Sequence, residues 1–262
     1  MNILLTGAAS GIGNALFKEY QSLGHHIYGI DFQEMNPEEH LTFFQADIQN
    51  QKRLEEIRSL LAEQNIKLDM IVNVAGIHRM ASLVESDPET LKRVIDINLI
   101  GTMMVNRTFH PLLKEKGRII LVTSEVASFD PLPFNGLYNV SKTALECYAQ
   151  ALRQELNLIS QKVITFRPGA TETKLQGGSL TGTEKLASET KLYQKQTGKF
   201  LHFVTKFMGK PMSREKMASF LCKKSLKKHP KLTYKKHQNP GLFLLHLLPK
   251  RTQCWIIKEL LK

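Results

Sequence analysis

The chain has 262 residues, 42% hydrophobic and 23% charged, which is typical of a globular protein large enough to bury a core. Three cysteines lie far apart, which argues against a zinc site or a disulfide framework and favours a reducing compartment. The sequence has neither a secretory pattern nor an apolar run of about 18 residues, so we expect no signal peptide and no membrane span. These features predict a cytoplasmic protein without a metal site.

The net charge of +12 is concentrated in the C-terminal third. Residues 183–262 contain 19 Lys and Arg against 4 Asp and Glu, whereas residues 1–182 contain 17 against 20. Three interpretations fit this region: a solvated helical surface, attraction to an anionic membrane, or attraction to an acidic partner. Nucleic acid is disfavoured, because no aromatic residues alternate with the basic ones to stack on bases.

Short apolar runs alternate with amphipathic stretches along the chain. The runs are apolar throughout, which predicts buried parallel strands at 2–6, 26–31, 41–45, 69–74, 117–123 and 162–167. Helical patterns lie between them, including 12–23, 51–64, 88–114 and 138–160. This alternation predicts an α/β fold, a doubly wound parallel sheet of the Rossmann type with helices on both faces.

The last third has a different texture. A Gly-, Ser- and Thr-rich segment at 177–185, which we expect to be mobile, leads into a helix near 184–207. Ser213 is expected to cap the next helix, and 231–235 to form a last edge strand. Residues 241–261 hold two short amphipathic pieces joined by "PKR", which fit a lid, a subunit contact or a membrane-surface helix.

The motif "TGAASGIG" (6–13) follows the first predicted strand and opens the first helix. In that place Gly7 permits a tight turn, Gly11 lets the backbone approach a pyrophosphate, and Gly13 permits close helix–sheet packing. The second strand ends at Asp31, where an acid can accept hydrogen bonds from ribose hydroxyls and would repel a 2′-phosphate. Its neighbours Ser10 and Phe32 supply no cation, so the sequence favours NAD(H) over NADP(H).

Tyr138 and Lys142 in "YNVSK" lie one helical turn apart, and a phenol beside an ammonium can move protons. With "TGAASGIG", "ADIQ" (46–49), "NVAG" (73–76), "DINLIG" (96–101) and "RPGATET" (167–173), this motif makes residues 1–235 resemble the short-chain dehydrogenase/reductase family. One departure is Val74, which replaces the second of two asparagines that often precede Ala-Gly. The resemblance implies one Rossmann-type domain over 1–235, with a substrate lid at about 177–230 and a C-terminal helical extension over 236–262.

The resemblance also implies the roles of individual residues. Tyr138 is the general acid/base, and Lys142, together with oxidised nicotinamide, lowers the pKa of the phenol and holds the nicotinamide ribose. Asn98 anchors a water that links Lys142 to solvent, and Thr173 binds the carboxamide. The other implied cofactor-binding positions are Ser10, Ile12, Phe32, Asp47, Ile48, Asn73, Ala75, Gly76, Pro168, Gly169 and Thr171. A homodimer or homotetramer is implied through the helices at 88–114 and 138–160.

The hydroxyl that would polarise the substrate oxygen is where this chain departs from the family pattern. In the family a serine usually stands thirteen residues before the tyrosine, where this chain has Glu125, while Ser124 is fourteen before. An ionised carboxylate facing the substrate would raise the pKa of Tyr138 and oppose a developing oxyanion. Two arrangements stay open: a protonated Glu125 donates, or a local shift brings in Ser124. A neutral donor favours Ser124.

The resemblance places the substrate beside apolar candidates: Ile77, Met80, Phe129, Pro131, Leu132, Phe134 and Leu192. His78 and Arg79 would meet a polar group or solvent. The sequence therefore predicts an oxidoreductase that transfers a hydride between NAD(H) and a carbonyl or secondary alcohol of a hydrophobic substrate. The alternative is a non-catalytic dinucleotide sensor whose basic tail contacts a membrane or a protein, which Glu125 favours and the Tyr138/Lys142 pair disfavours.

Overall fold

The sheet has the predicted doubly wound topology. The computed structural model describes residues 1–173, 182, 184–207 and 210–262. Its seven parallel strands lie in the order β3-β2-β1-β4-β5-β6-β7, with β7 at the edge. The strands are β1 (Asn2–Thr6), β2 (His26–Asp31), β3 (Leu41–Gln45), β4 (Leu68–Asn73), β5 (Leu113–Val122), β6 (Lys162–Pro168) and β7 (Thr233–Lys236). Such parallel sheets need cover on both faces, which explains the uninterrupted apolar runs.

The helices cover both faces of this sheet and continue beyond its last strand. They are α1 (Gly11–Ser22), α2 (Gln51–Glu63), α3 (Pro88–Ile95), α4 (Thr102–Phe109), α5 (Gly136–Asn157), α6 (Gln194–Phe207), α7 (Arg214–Ser225), α8 (Pro240–His246) and α9 (Lys250–Leu261). Helices α2, α4 and α5 share one buried apolar cluster with the sheet, and α1 and α7 share a second on the opposite face. The α/β architecture predicted from the sequence is confirmed.

The helix predicted at 88–114 differs from the prediction. It is interrupted by a π-helical segment, Asp96–Gly101, between α3 and α4, and it ends at Phe109. A single tight turn, His110–Leu112, contains Pro111 and leads into β5, which begins at Leu113 and pairs there with Leu68 of β4. Proline cannot continue an α-helical ladder, so the chain turns into the sheet earlier than periodicity indicates.

The C-terminal region contains the predicted elements with adjusted bounds. Ser213 caps α7, its hydroxyl accepting a hydrogen bond from Lys216 N at 3.4 Å. The helix expected near 184–207 is divided into helical residues 184–189 and α6. Most of the segment 177–185 lies outside the described residues. In the part of the chain that the structure describes, no helix is long and apolar enough to cross a bilayer.

The C-terminal helices pack beside the substrate region. Leu261 of α9 belongs to a small buried cluster with Met80 and with Phe200 and Val204 of α6. Ile257, one turn before Leu261, packs against the same cluster. The last helix is therefore held by apolar contacts with α6, whose residues border the cleft.

Candidate active site

A cleft of about 350 Å³ opens where the strands of the sheet end. Ligands of open α/β sheets bind at this edge, because the loops that follow parallel strands converge there. The cleft brings together nearly all of the positions predicted from the sequence: Gly7, Ser10, Gly11, Ile12, Gly13, Asp31, Phe32, Asp47, Ile48, Ala75, Gly76, Ser124, Tyr138, Lys142, Pro168, Gly169, Thr171 and Thr173.

The glycine-rich turn at the start of α1 has no room for side chains. Gly7 adopts a φ of +74°, and a Cβ there would lie 2.8 Å from Ala75 N. A Cβ on Gly13 would lie 1.9 Å from the Gly7 carbonyl oxygen. Residues larger than glycine would therefore force this loop away from the sheet. The loop leaves the helix N-terminus open to the cleft, a favourable position for an anionic phosphate.

Asp31 links the end of β2 to the glycine-rich turn. Its carboxylate is buried, and it accepts hydrogen bonds from Ala9 N at 2.9 Å and from Gln33 N at 3.0 Å. These contacts fix its orientation at the cleft wall, with Phe32 next to it and 64% exposed. Asp47 lies on the same side and accepts from Gln49 N at 2.9 Å. This end of the cleft thus presents carboxylate and aromatic groups.

Two predicted asparagines lie behind the cleft rather than in its wall. Asn73 is buried and donates to Asn106 Oδ1 at 2.8 Å and to the Ile120 carbonyl oxygen at 3.2 Å. Its expected place as a lining residue is therefore corrected, since it ties β4 to its neighbours. Asn98 bonds both backbone groups of Ile77 and donates to Ser141 Oγ at 2.9 Å.

The π-helical segment determines where Asn98 lies. The extra residue of this wider turn changes the side-chain direction of the helix, as such turns often do at functional sites. Asn98 Oδ1 would come within 3.1 Å of a Cβ on Gly76, and Lys142 Nζ within 3.4 Å of the same atom. Asn98 therefore positions the "NVAG" turn directly beside Lys142.

Tyr138, Lys142 and Ser124 meet at the end of the cleft opposite Asp31. Helix α5 begins at Gly136, so the tyrosine and the lysine lie on one face, with Lys142 Nζ 5.9 Å from the phenol ring centroid. Lys142 also donates to the Val122 carbonyl oxygen at 3.2 Å. Ser124 follows β5 in an extended conformation, and its side chain hydrogen-bonds to Tyr138. The three side chains that the sequence analysis predicted to take part in proton transfer are thus adjacent.

Burial dominates the ionisation of this pair. It raises the pKa of Tyr138 to about 12, with the Ser124 hydrogen bond lowering this value and the Glu125 charge raising it. Burial also lowers the pKa of Lys142 to about 8, against the charge of Glu146. The sequence analysis expected Lys142 and oxidised nicotinamide together to lower the pKa of Tyr138. In the protein alone, burial raises this pKa instead. At neutral pH the phenol keeps its proton and can donate it.

Glu125 has a contact that the sequence did not indicate. Its Oε2 accepts a hydrogen bond from Asn239 N at 2.6 Å, at the start of α8, and the carboxylate also accepts from Ala170 N. Burial raises the pKa of Glu125, while these hydrogen bonds and the charge of His237 lower it. Glu125, thirteen residues before Tyr138, is thus held by Asn239 at the start of α8 and by Ala170.

His78 was expected to meet a polar group or solvent, and it packs instead against the tyrosine. The two ring centroids are 4.5 Å apart in an edge-to-face arrangement. His78 Nε2 is 2.8 Å from Asn135 Oδ1, and burial lowers the pKa of the imidazole. Asn135 was missed by the sequence analysis, although it directly precedes α5. The sequence signal that could have identified Asn135 is its position as a polar residue just before the helix that carries Tyr138.

The opposite wall of the cleft is apolar and comes from distant elements. Of the predicted substrate-side residues, Ile77, Met80 and Leu132 line it, whereas Leu192 is 65% exposed. Phe129, Pro131 and Phe134 do not border the cleft, and Phe134 packs edge-to-face on Phe200. The sequence analysis expected the lid region at about 177–230 beside the substrate, but it did not single out Phe200, Phe203 and Val204 of α6, nor Asn239 and Leu242 at the start of α8.

The sequence matches the family model described as short chain dehydrogenase over residues 1–183. The chain therefore belongs to the short-chain dehydrogenase/reductase family of oxidoreductases. It is 31% identical over 199 residues to the NADPH-dependent 1-acyldihydroxyacetone phosphate reductase of Schizosaccharomyces pombe, covering 73% of this chain and 67% of that enzyme. It is 30% identical over 188 residues to estradiol 17-beta-dehydrogenase 2 of Mus musculus, covering 67% of this chain and 49% of the mouse enzyme.

Solved structures share the fold over nearly the whole chain. A short-chain dehydrogenase from Streptomyces avermitilis superimposes with a TM-score of 0.78 at 19% identity, covering 98% of this chain and 96% of the other. A short chain dehydrogenase from Mycobacterium paratuberculosis bound to NAD gives a TM-score of 0.75 at 23% identity, covering 91% and 96%. Both comparisons show that this chain shares its overall fold with solved short-chain dehydrogenases.

Proposed function

We propose that this protein transfers a hydride between NAD(H) and a carbonyl or secondary alcohol of a hydrophobic substrate. The observation that carries the proposal is the meeting of Ser124, Tyr138 and Lys142 at one end of a cleft whose other end holds a glycine-rich turn. Such a cleft suits a dinucleotide laid across the strand ends with its reactive ring beside the phenol.

The residues fit a dinucleotide along the whole cleft. Asp31 would accept the adenosine ribose hydroxyls, and the N-terminal turn of α1 would hold the pyrophosphate. Lys142 would hold the second ribose, with Thr173 beside the carboxamide. When bound, the nicotinamide supplies or accepts the hydride. The protein's contribution is the placement of a proton donor and an oxygen-binding hydroxyl next to it.

Tyr138 is the proposed acid/base. Its raised pKa keeps the phenol protonated at neutral pH, so it can protonate a carbonyl oxygen as negative charge develops there. The Ser124 hydroxyl donates a second hydrogen bond to that oxygen, and the nearby Lys142 cation stabilises the phenolate left after transfer. In the oxidative direction the same groups act in reverse, and Tyr138 accepts the alcohol proton.

Asp31 supports NAD(H) as the preferred cofactor. Two backbone N–H groups fix the buried carboxylate of Asp31 at the cleft wall. A 2′-phosphate on the adenosine ribose would lie beside this carboxylate, and the two negative charges would repel each other. The S. pombe relative is named as NADPH-dependent and the M. paratuberculosis protein was solved with NAD, so the family uses both cofactors. The preference proposed here rests on Asp31.

The apolar wall supports a hydrophobic substrate. Met80, Leu132, Phe200, Val204 and Leu242 would exclude water from an extended carbon chain or ring system. The two relatives described above are named for an acylated dihydroxyacetone phosphate and for estradiol. Both compounds therefore belong in the first substrate panel.

Turnover of this panel with NAD(H) can be followed by nicotinamide absorbance. Tyr138→Phe should reduce kcat by at least about a thousandfold, as loss of a positioned acid does, while NADH binding stays within a few-fold. Tyr148→Phe is the matched control, because Tyr148 lies on the same helix and its hydroxyl accepts from Asn106 Nδ2 rather than facing the cleft. Full activity of Tyr138→Phe would refute the mechanism. NAD(H) binding with no turnover of any substrate would favour the non-catalytic sensor.

A homodimer or homotetramer is proposed through α4 and α5. Ile100 and Met103 lie three residues apart before and within α4, and both are exposed, as is Val140 on α5. Exposed apolar side chains on long neighbouring helices favour a contact between copies. Met103→Glu should shift the protein toward monomer in analytical ultracentrifugation. A wild-type monomer at micromolar concentration would contradict this arrangement.

A further inference from the structure

Helices α8 and α9 form a surface that packing inside this chain does not explain. None of the seven residues of α8 is fully buried. Phe243, Leu244 and Leu247 are 51%, 63% and 63% exposed, and their spacing of three and four residues places them on one side. A helix of this length with three exposed large apolar residues needs an apolar covering partner.

The second helix adds a tryptophan between cations. Arg251, Trp255 and Lys258 are spaced four and three residues apart, so they form one stripe along α9, and Lys262, which pairs with Glu259, follows at the end of the helix. The stripe is exposed, with Trp255 at 63%, while Gln253 and Leu261 are buried on the other side. Tryptophan prefers the boundary between headgroups and acyl chains, and lysine and arginine extend to lipid phosphates.

The charge of the region selects the partner. A second copy of the chain would place the basic stripe against an identical basic stripe across a two-fold axis, and like charges would oppose that contact. An anionic bilayer satisfies both features together, since it takes up the apolar side chains and attracts the cations. The excess of 19 Lys and Arg over 4 Asp and Glu in residues 183–262 acts in the same direction.

The same helices reach the catalytic cleft. Asn239 and Leu242 line the cleft, and Asn239 N donates to Glu125, next to Ser124. Asp130 fixes the helix pair from the other side, accepting from His246 Nδ1 at 2.9 Å and Gln253 Nε2 at 3.0 Å and pairing with Lys250. The surface and the substrate wall are therefore joined by direct contacts.

The geometry points to α8 and α9 as a docking surface for an anionic lipid bilayer, with the apolar end of the cleft held next to the membrane. Docking itself does not depend on the proposed hydride transfer. The delivery of a membrane-dissolved carbonyl or alcohol to Tyr138 does rest on it. Because the chain has a single tryptophan, the emission of Trp255 reports the docking surface directly.

The test titrates the full chain with vesicles of equimolar phosphatidylcholine and phosphatidylserine, and with vesicles of phosphatidylcholine alone. We expect a blue shift of Trp255 emission and co-sedimentation with the anionic vesicles only, both weakened by high salt. The double variant Arg251→Gln/Lys258→Gln loses two cations. At the typical contribution of each cation near such a surface, it should bind the anionic vesicles roughly 30-fold more weakly than wild type. Leu158→Ser, at an exposed apolar residue after α5, is the control and should bind like wild type.

Several results would overturn the proposal. Absence of co-sedimentation with the anionic vesicles would do so, as would undiminished binding of the Arg251/Lys258 variant. A blue shift that depends on protein concentration without vesicles would instead identify a contact between copies. Tyr138→Phe should bind vesicles like wild type, so failure of catalysis and failure of docking are measured separately. Circular dichroism and thermal unfolding check that each variant is folded.

Discussion

Replacing Glu125 separates its contact with α8 from any part in catalysis. The carboxylate is 7% exposed and accepts hydrogen bonds from Asn239 N and Ala170 N. Gln has the same size but one acceptor oxygen, so it can satisfy only one of these two N–H groups. Ala satisfies neither. The two substitutions therefore remove the interaction in steps.

The expected magnitudes follow from these groups. Each buried N–H left without an acceptor costs about 1–3 kcal/mol, so Glu125→Ala, which leaves two, should lower the free energy of unfolding by about 2–6 kcal/mol. Glu125→Gln loses one such bond but no longer buries a charge, which offsets part of the loss and leaves about 1 kcal/mol. Since Ser124 is the proposed oxygen-binding hydroxyl, Glu125→Gln should change kcat only a few-fold, whereas Ser124→Ala should lower it about 10²–10³-fold.

The pH dependence of stability gives an independent check. The raised pKa of Glu125 means that the folded protein holds this proton more tightly than the unfolded chain. Its contribution is thus fully present below the ordinary glutamate pKa of about 4.3 and is lost as pH rises through the folded-state value. Glu125→Gln has no such proton, so the stability advantage of wild type should shrink as pH rises.

Urea unfolding of wild type and the three variants, over a range of pH, measures these differences, and steady-state kinetics with NAD(H) measures kcat. Glu125→Gln and Glu125→Ala destabilised equally would contradict the two-bond arrangement. A loss of kcat in Glu125→Gln as large as that in Ser124→Ala would instead place the carboxyl group on the substrate oxygen.

Three further predictions concern charged groups of the cleft and of the C-terminal helices. Asp31→Ala should relax the preference for NADH over NADPH, and tighter wild-type binding of NADPH in a fluorescence titration would contradict the assignment. Because burial lowers the pKa of Lys142 to about 8, carbonyl reduction should fall as pH rises above that value, and a pH profile flat to about pH 10 would refute the role of its charge. The hydrogen bond from Lys250 lowers the pKa of Asp130 to about 2, so its contribution to stability is present above the ordinary aspartate pKa and lost as pH falls toward 2. Asp130→Asn should therefore destabilise the protein by about 1 kcal/mol at neutral pH, a value reduced by partial exposure, and should remove that acid-sensitive part of urea unfolding.

Local sequence patterns determined the strands, the first helices and the glycine-rich turn. The apolar runs identify β1, β2 and β3 with their observed bounds, because burial on both faces of a parallel sheet requires such runs. The spacing of Tyr138 and Lys142 likewise predicts a shared helix face, since it depends only on helix geometry. Helix and turn hydrogen bonds join residues close in the chain, and burial on both faces appears in the strands as apolar runs, so these features can be predicted from local patterns.

The tertiary structure alone decided which of residues 124 and 125 faces the phenol. The contact of Glu125 with Asn239 joins residues 114 positions apart, and no local pattern encodes it. The same holds for which side chains of α6 and α8 form the apolar wall, and for the ring of His78 against Tyr138. Such contacts depend on how distant elements pack, and burial then determines the pKa values of the side chains that packing encloses.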